Sequence, residues 1–238
     1  MFYFWDCNIT DLQIIFQVAK HFFMEIFKTQ GIDLEKIKNI IFDLGGVIFN
    51  VDYHKTLDEF KKLGLENFEQ LYSQLQQTDL FDKLETGKIS PAIFRNKIRQ
   101  HISKPLTDEK IDAAWNAMIL DTPKERLDVL SYVKSHFRTF LLSNTNEIHI
   151  DYFNKHLLDT FGIHDLSEYF EKLYFSYQIG LRKPDKEVFD YVIRINKLNP
   201  AETLFIDDTF QHIEGARKAG LQGFHLTNGE TINRLFRQ

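Results

Sequence analysis

At 238 residues, the chain has the length of one sizeable domain, or of a core domain carrying a smaller insert. Apolar residues make up 43% and charged residues 26%, an ordinary globular balance that permits a proper core, with the 23 phenylalanines scattered as core filling. A net charge of −5 without a long basic run argues against a nucleic-acid partner, and the single cysteine, Cys7, excludes an internal disulfide and fits a reducing cytoplasm.

The chain opens on an apolar stretch. It lacks a basic leader region and a small-residue cleavage site, and Asp6, Asp11, Lys20 and Glu25 interrupt it. Apolar residues at Leu12, Ile15, Phe16, Ala19, Phe22, Phe23, Ile26 and Phe27 follow helical spacing. An extra amphipathic helix is expected here, within an extension spanning 1–36, packed on the domain or against a second copy in a homodimer. Membrane-surface binding is the weaker reading, because few lysines or arginines flank that face.

The first buried strand is expected at Asn39 to Asp43. A long helical segment follows. Leu57, Phe60 and Leu63 form one stripe, and Phe68, Leu71, Tyr72 and Leu75 form another. Ser90-Pro91 opens a third helix through Ile93, Phe94 and Ile98, and Ile111, Ala114, Trp115 and Met118 mark a fourth. Tight turns between them predict a small helical bundle inserted at 54–121. Thr122-Pro123-Lys124-Glu125 then reads as a capping box with proline at the first helical position. Further strands are expected at Thr139 to Ser143, Lys172 to Ser176, Thr203 to Asp207 and Gly223 to Leu226. Helices are expected over Asp185 to Leu198, with Val188, Tyr191, Val192 and Ile195 on one face, and over Asp208 to Ala219, stopped by Gly220. This alternation predicts an α/β core at 37–53 and 122–238, a Rossmann-like parallel sheet with helices on both faces.

Polar residues collect where the strands end. The first strand finishes at Asp43, the second at Ser143-Asn144-Thr145-Asn146, and the fourth at Asp207-Asp208; Leu181-Arg182-Lys183-Pro184 follows the third. Open parallel sheets bind ligands at that edge. Acidic residues from separate strands suit a hard divalent cation. A hydroxyl, backbone N–H groups and a lysine suit a phosphoryl group, leaving one carboxylate to attack phosphorus. Taken singly, each has a plainer reading. Asp43 reads as a turn or helix cap, Ser143 as a turn residue, Lys183 as a loop cation, and Asp207-Asp208 as a helix cap.

As an ordered set, Asp43-Leu44-Gly45-Gly46-Val47, Leu142-Ser143-Asn144, Gly180-Leu181-Arg182-Lys183-Pro184-Asp185 and Phe205-Ile206-Asp207-Asp208 resemble the haloacid dehalogenase superfamily over about residues 38–226. The likeness is to members with a helical cap after the first strand, in particular the sugar-phosphatase branch related to bacterial glucose-1-phosphate phosphatase. The resemblance implies a Mg2+-dependent phosphatase acting on a small phosphorylated metabolite. Asp43 would be the nucleophile that forms an aspartyl-phosphate. Ser143 and the amide of Asn144 would bind the phosphoryl oxygens, with Lys183 neutralising nucleophile and phosphate. Asp43, the backbone carbonyl of Gly45 and Asp208 would hold the metal, with Asp207 the alternative or outer carboxylate. His212 departs from the acidic or amide residue often found there.

Gly45 also occupies the position where most family phosphatases carry a general acid. Such help is worth about 10²–10⁴ in rate, against a total that can reach roughly 10²¹ for phosphate monoesters, so its loss does not by itself retire the site. Asp52, near the entry to the helical segment, is a candidate replacement, and His54 a second; Asp52 reads equally well as the N-cap of the helix that follows. Without a well-placed acid, phosphates whose alcohol leaves easily, such as sugar 1-phosphates or aryl phosphates, are expected to be favoured. A metal-independent dehalogenase, a phosphomutase and a catalytically silent binding protein are the rival readings. Asp207-Asp208 weighs against the first, Gly45 against the second, and the complete set of Asp43, Ser143, Lys183 and Asp208 against the third. Phe81, Thr86, Lys88 and Trp115 are guesses for the lining of a leaving-group pocket.

Overall fold

A computed structural model describes residues 27–65, 79–102, 104–227 and 229–236. The expected amphipathic helix lies outside the described residues except for its last position, Phe27, and so does the stripe of Phe68, Leu71, Tyr72 and Leu75.

Five short strands, β1 (Asn39–Phe42), β2 (Arg138–Ser143), β3 (Lys172–Phe175), β4 (Thr203–Asp207) and β5 (Gln222–His225), form one sheet in the order β3-β2-β1-β4-β5. All neighbouring pairs are parallel. Their sequences are near-continuous apolar runs because both faces are covered. Ile40 and Phe42 pack into one layer with Leu141 and Ile206. Ile41 points the other way, into a layer with Phe140, Leu142 and Phe205, as the two-residue period of a strand requires.

Helices cover both layers. α5 (Lys124–His136) and α6 (Glu147–Phe161) supply Leu130, Val133, Phe153 and Leu157 to the first. α8 (Lys186–Asn196) and α9 (Phe210–Lys218) supply Val188, Phe189, Val192, Ile213 and Ala216 to the second. Short α7 (Ser176–Ile179) follows β3, and α10 (Ile232–Leu235) closes the chain. The edge of β5 is covered from the N-terminal side, where the side chain of Gln30 donates to the carbonyl of His225 and accepts from its N–H, both at 2.9 Å.

Between β1 and β2 lie α1 (Tyr53–Lys62), α2 (Leu80–Glu85), α3 (Pro91–Arg99) and α4 (Asp108–Asn116). They bury their own apolar cluster, built around Phe60, Leu84, Phe94, Ile98, Ile111 and Trp115, with Ile148 of α6 touching it. Ser90 caps α3 as its sequence predicts, accepting from the N–H of Ile93. Two backbone segments tether this insertion: Asn50 and Leu120 exchange bonds with Asp121 and Asn50, and Asp52 donates to Met118 at 2.9 Å.

Two local expectations fail. The capping box at Thr122 does not form: α5 starts at Lys124 with Pro123 as its N-cap, and the buried Thr122 hydroxyl has no hydrogen-bond partner. Pro123 sits in the extended region at φ −63° and ψ 127°, one residue short of the helix. On α8 the buried face runs through Val188, Phe189 and Val192, while Ile195 is 42% exposed. Among the described residues, no helix is long and apolar enough to cross a membrane.

Candidate active site

The chain runs from β1 outward to β2 and β3, then returns to place β4 on the other side of β1. The crevice at the carboxyl ends of β1 and β4 is therefore the topological switch point of the sheet, where such folds bind ligands. Asp43 follows β1 at this crevice and Asp207 ends β4, and the N–H of Asp43 is tied to the carbonyl of Ile206 at 2.9 Å.

Lys183 joins them. Its side chain is fully buried, and its ammonium donates to Asp43 Oδ1 at 2.6 Å and to Asp207 Oδ2 at 2.7 Å. Burial alone would lower the lysine's pKa, but the two carboxylates carry it above its ordinary value. Asp207 is saturated: it also accepts from the Thr209 N–H at 2.8 Å and faces His212 Nδ1 at 2.9 Å. Burial works to raise Asp207, but Lys183 and His212 outweigh it and hold the carboxyl below its usual range. Asp43 and Asp208 move the opposite way. Burial, with Asp207 adding to it against the pull of Lys183, pushes Asp43 up to about 7. Burial and then Asp207 raise Asp208. One ammonium among three carboxylates leaves negative charge unbalanced.

Asp43, Asp207 and Asp208 each offer an oxygen within 4.8 Å of the others. That is a hard-oxygen donor set of the kind magnesium takes. The backbone is shaped to allow it. Gly46 has φ +73°, and a Cβ there would overlap the Asp208 carboxylate, so only glycine lets the first loop lie against that aspartate. Gly45 is held beside Phe49 by two backbone bonds, Gly46 N–H to the Phe49 carbonyl at 2.8 Å and Phe49 N–H to the Leu44 carbonyl at 3.3 Å. Neither uses the Gly45 carbonyl. The residues present thus fit a divalent cation, with Asp207 the carboxylate least available to it.

Ser143 ends β2, the parallel neighbour of β1, and is buried. The Asn144 side chain is committed elsewhere: it donates to the Lys183 carbonyl at 2.8 Å and accepts from the Lys183 N–H at 2.9 Å. Its backbone N–H is what remains for an anion. Ser176, opening α7, bonds both the N–H and the carbonyl of Thr145 at 2.9 and 3.0 Å, and Asn146 caps α6. The whole Ser143–Asn146 turn is therefore fixed from outside.

Asp52 is the N-cap of α1, accepting from the His54 N–H at 3.0 Å, and His54 is exposed. The residue between them was not singled out by sequence. Tyr53 is 69% exposed, and the charges of Asp43, Asp208 and Glu85 work to raise its hydroxyl. It opens α1 at the root of the insertion. Of the guessed lining residues, Phe81 and Trp115 are buried and stacked on one another at 5.3 Å. Thr86 bonds back to the Asp82 carbonyl. Lys88 is exposed in the turn.

Residues 37–220 match the haloacid dehalogenase-like hydrolase family. The chain is 35% identical over 193 residues to D-ribitol-5-phosphate phosphatase of Bacteroides thetaiotaomicron, covering 81% of this chain and 93% of that one. A crystal structure of a haloacid dehalogenase-family enzyme from the same organism, in complex with magnesium and inorganic phosphate, superposes with a TM-score of 0.78 at 38% identity, covering 84% of this chain and 100% of that one. A predicted hydrolase of the same type from Porphyromonas gingivalis superposes at 0.75 with 32% identity, over 85% and 99% of the two chains.

Proposed function

The chain belongs to the haloacid dehalogenase-like hydrolases, and within that family we propose that it is a magnesium-dependent phosphatase that hydrolyses a small phosphorylated sugar or polyol through an aspartyl-phosphate. The observation that carries this reading is the buried Lys183 ammonium shared by Asp43 and Asp207, with Asp208 beside them at the switch point of the sheet.

In this reading an Asp43 oxygen attacks phosphorus, and the bond from phosphorus to the alcohol oxygen breaks. The electron pair leaves on that oxygen, which takes a proton. Water then attacks the phosphorus of the aspartyl-phosphate, releasing inorganic phosphate and restoring Asp43. Lys183 donates to the nucleophile and offsets charge on the phosphoryl oxygens, which also meet Ser143 and the Asn144 N–H. Magnesium, when held by Asp43, Asp208 and the Gly45 carbonyl, supplies Lewis-acid neutralisation of the phosphoryl charge. Asp207 orients Lys183 rather than binding the metal.

The substrate class follows from the relative that acts on D-ribitol 5-phosphate and from the helical insertion, which would act as a cap over the leaving group. A primary polyol phosphate has a poorly leaving alcohol, so it depends on a proton donor more than a sugar 1-phosphate or aryl phosphate does. Asp52 is the proposed donor. The test is a hydrolysis screen over pentitol phosphates, sugar phosphates and an aryl phosphate, run with magnesium, with chelator and with Asp43→Asn. Asp43→Asn should lower the rate about a thousandfold or more, and chelation should abolish it. Metal-independent turnover that survives Asp43→Asn would overturn the mechanism.

A further inference from the structure

Arg182 stands next to Lys183 in the chain but turns the other way, toward the insertion. Its guanidinium pairs with Asp82 and, at 3.1 Å, with Glu85 Oε2, both on α2. Arg182 is 29% exposed and Glu85 23%. Burial raises the Glu85 carboxyl, Arg182 opposes it, and Lys183 lies close enough to contribute. One residue past the C-cap of α2, Gly87 has φ +67°, and a Cβ there would overlap the carbonyl of Tyr177 on α7. The end of α2 and its turn therefore sit directly on the sheet domain, beside the loop that delivers Lys183.

The insertion is tethered at its root by the paired backbone of Asn50–Asp52 and Met118–Asp121. These backbone links at the root, and a glycine contact with an ion-pair cluster at the end of α2, are the two parts of a hinge and its seat. Tyr53 opens α1 immediately after the Asp52 tether. Partly exposed ion pairs are weak enough to break and re-form, and the Arg182 guanidinium hydrogen-bonds Asp82 while meeting Glu85 through charge alone. On the far side of the peptide, the Lys183 backbone is gripped at both N–H and carbonyl by Asn144. The seat of the insertion and the aim of the ammonium thus share adjacent residues of one clamped loop.

We propose that Arg182 is a positioning residue: its pairing with Asp82 and Glu85 latches the helical insertion closed and couples that closure to the placement of Lys183. Arg182 itself touches neither nucleophile nor phosphate. The inference rests on the phosphatase reading for its kinetic consequence only; the closure it describes is measurable without any turnover.

The experiment compares Arg182→Met, the double variant Asp82→Asn/Glu85→Gln, and the charge exchange Arg182→Glu/Glu85→Arg. Amide hydrogen exchange over residues 80–89 should quicken at least tenfold in the first two at unchanged exchange in β1 and β4, and return toward wild type in the exchange variant. With a pentitol phosphate, kcat/KM should fall tenfold or more in the first two, while the inhibition constant for inorganic phosphate and the magnesium requirement stay within twofold. Should Arg182→Met fail to fold, the Asp82/Glu85 variant removes the same pairs from the other side. Unchanged exchange over 80–89 in that variant overturns the latch whatever the activity. Quickened exchange with unchanged kcat/KM overturns the coupling to Lys183. An inactive wild type with quickened exchange in the variants would sink the phosphatase reading and leave the latch standing.

Discussion

Gly46 and the Asp208 carboxylate occupy adjoining space so closely that a Cβ on the glycine would overlap the carboxylate. The two come from β-strand ends more than 160 residues apart in the chain. Gly46→Ala should therefore damage the metal site directly. It imposes a left-handed conformation on alanine, which costs about 1–2 kcal/mol, and displaces Asp208 as well. Gly45→Ala is the control, because φ is unremarkable there and the new Cβ meets side chains alone, Val51 Cγ2 at 3.2 Å and the Phe49 ring at 3.8 Å. Magnesium titration followed by thermal unfolding should show at least a tenfold weaker response for Gly46→Ala and a nearly normal one for Gly45→Ala. Equal responses would remove Gly46 from the account of the metal site.

The same geometry bears on the missing acid. A side chain at Gly45 starts toward Val51 and Phe49, both apolar. Asp52→Asn is the sharper experiment. Asparagine caps a helix about as well as aspartate, so the bond from His54 N–H survives and stability should change by less than about 0.5 kcal/mol. If Asp52 transfers the proton, hydrolysis of a pentitol phosphate should drop by about 10²–10⁴, with a much smaller drop for an aryl phosphate. Identical rates on both esters would leave Asp52 as a helix cap and nothing more.

The clamp of Asn144 on Lys183 makes a third prediction. Asn144→Asp keeps the acceptor for the Lys183 N–H but sets a carboxylate oxygen against the Lys183 carbonyl, 2.8 Å from the atom it replaces. Losing one such bond and leaving its partner unmet costs about 1–3 kcal/mol. Because the backbone N–H at 144 is retained, phosphate binding should persist while the ammonium is misaimed. The expected signature is a fall in kcat of tenfold or more with KM changed by less than threefold. A rise in KM at constant kcat would mean the clamp serves substrate binding instead.

What sequence could and could not show follows from the range of the interactions involved. The strands were legible because residues such as Ile40, Ile41 and Phe42 are buried on alternate faces, which writes a continuous apolar run. Asp43, Ser143 and Asp207-Asp208 were legible because each lies at or just beyond a strand end, and parallel strands bring those ends to one edge; Lys183 follows β3 only after the short α7 and was legible from the Gly180–Asp185 motif. The pairing of Arg182 with Asp82 spans 100 positions and depends on how the insertion seats, which no local pattern encodes. Tyr53 escaped for the same reason. The failed capping box at Thr122 shows the converse: a correct local motif lost to burial of its hydroxyl, since tertiary context overrides local preference.

The charge imbalance around Lys183 makes the last prediction, a pH dependence of magnesium stabilisation. Asp43 is raised to about 7 by burial and by Asp207 against the pull of Lys183, and Asp208 is raised in the same direction. The folded protein without metal therefore holds more protons than the unfolded chain between the unfolded Asp43 value of 3.8 and its folded value of about 7. By linkage, the stability contributed by Asp43 is fully present below its unfolded value of 3.8 and is lost as pH rises through about 7. Asp207 is shifted the other way, so its contribution is present at neutral pH and lost only as the solution becomes strongly acidic. Magnesium binds the ionised carboxylates and must displace the extra proton, so affinity should weaken by about tenfold for each pH unit below the Asp43 value. At one fixed free magnesium concentration, the gain in Tm should be clearly larger at about pH 8 than at about pH 5.5, because stabilisation grows with the ratio of ligand to Kd. Asp43→Asn removes the titrating group, and its smaller magnesium response should lose most of this slope. A gain in Tm that is equal at both pH values in the unaltered protein would show that Asp43 is already ionised across the range, with Lys183 outweighing burial.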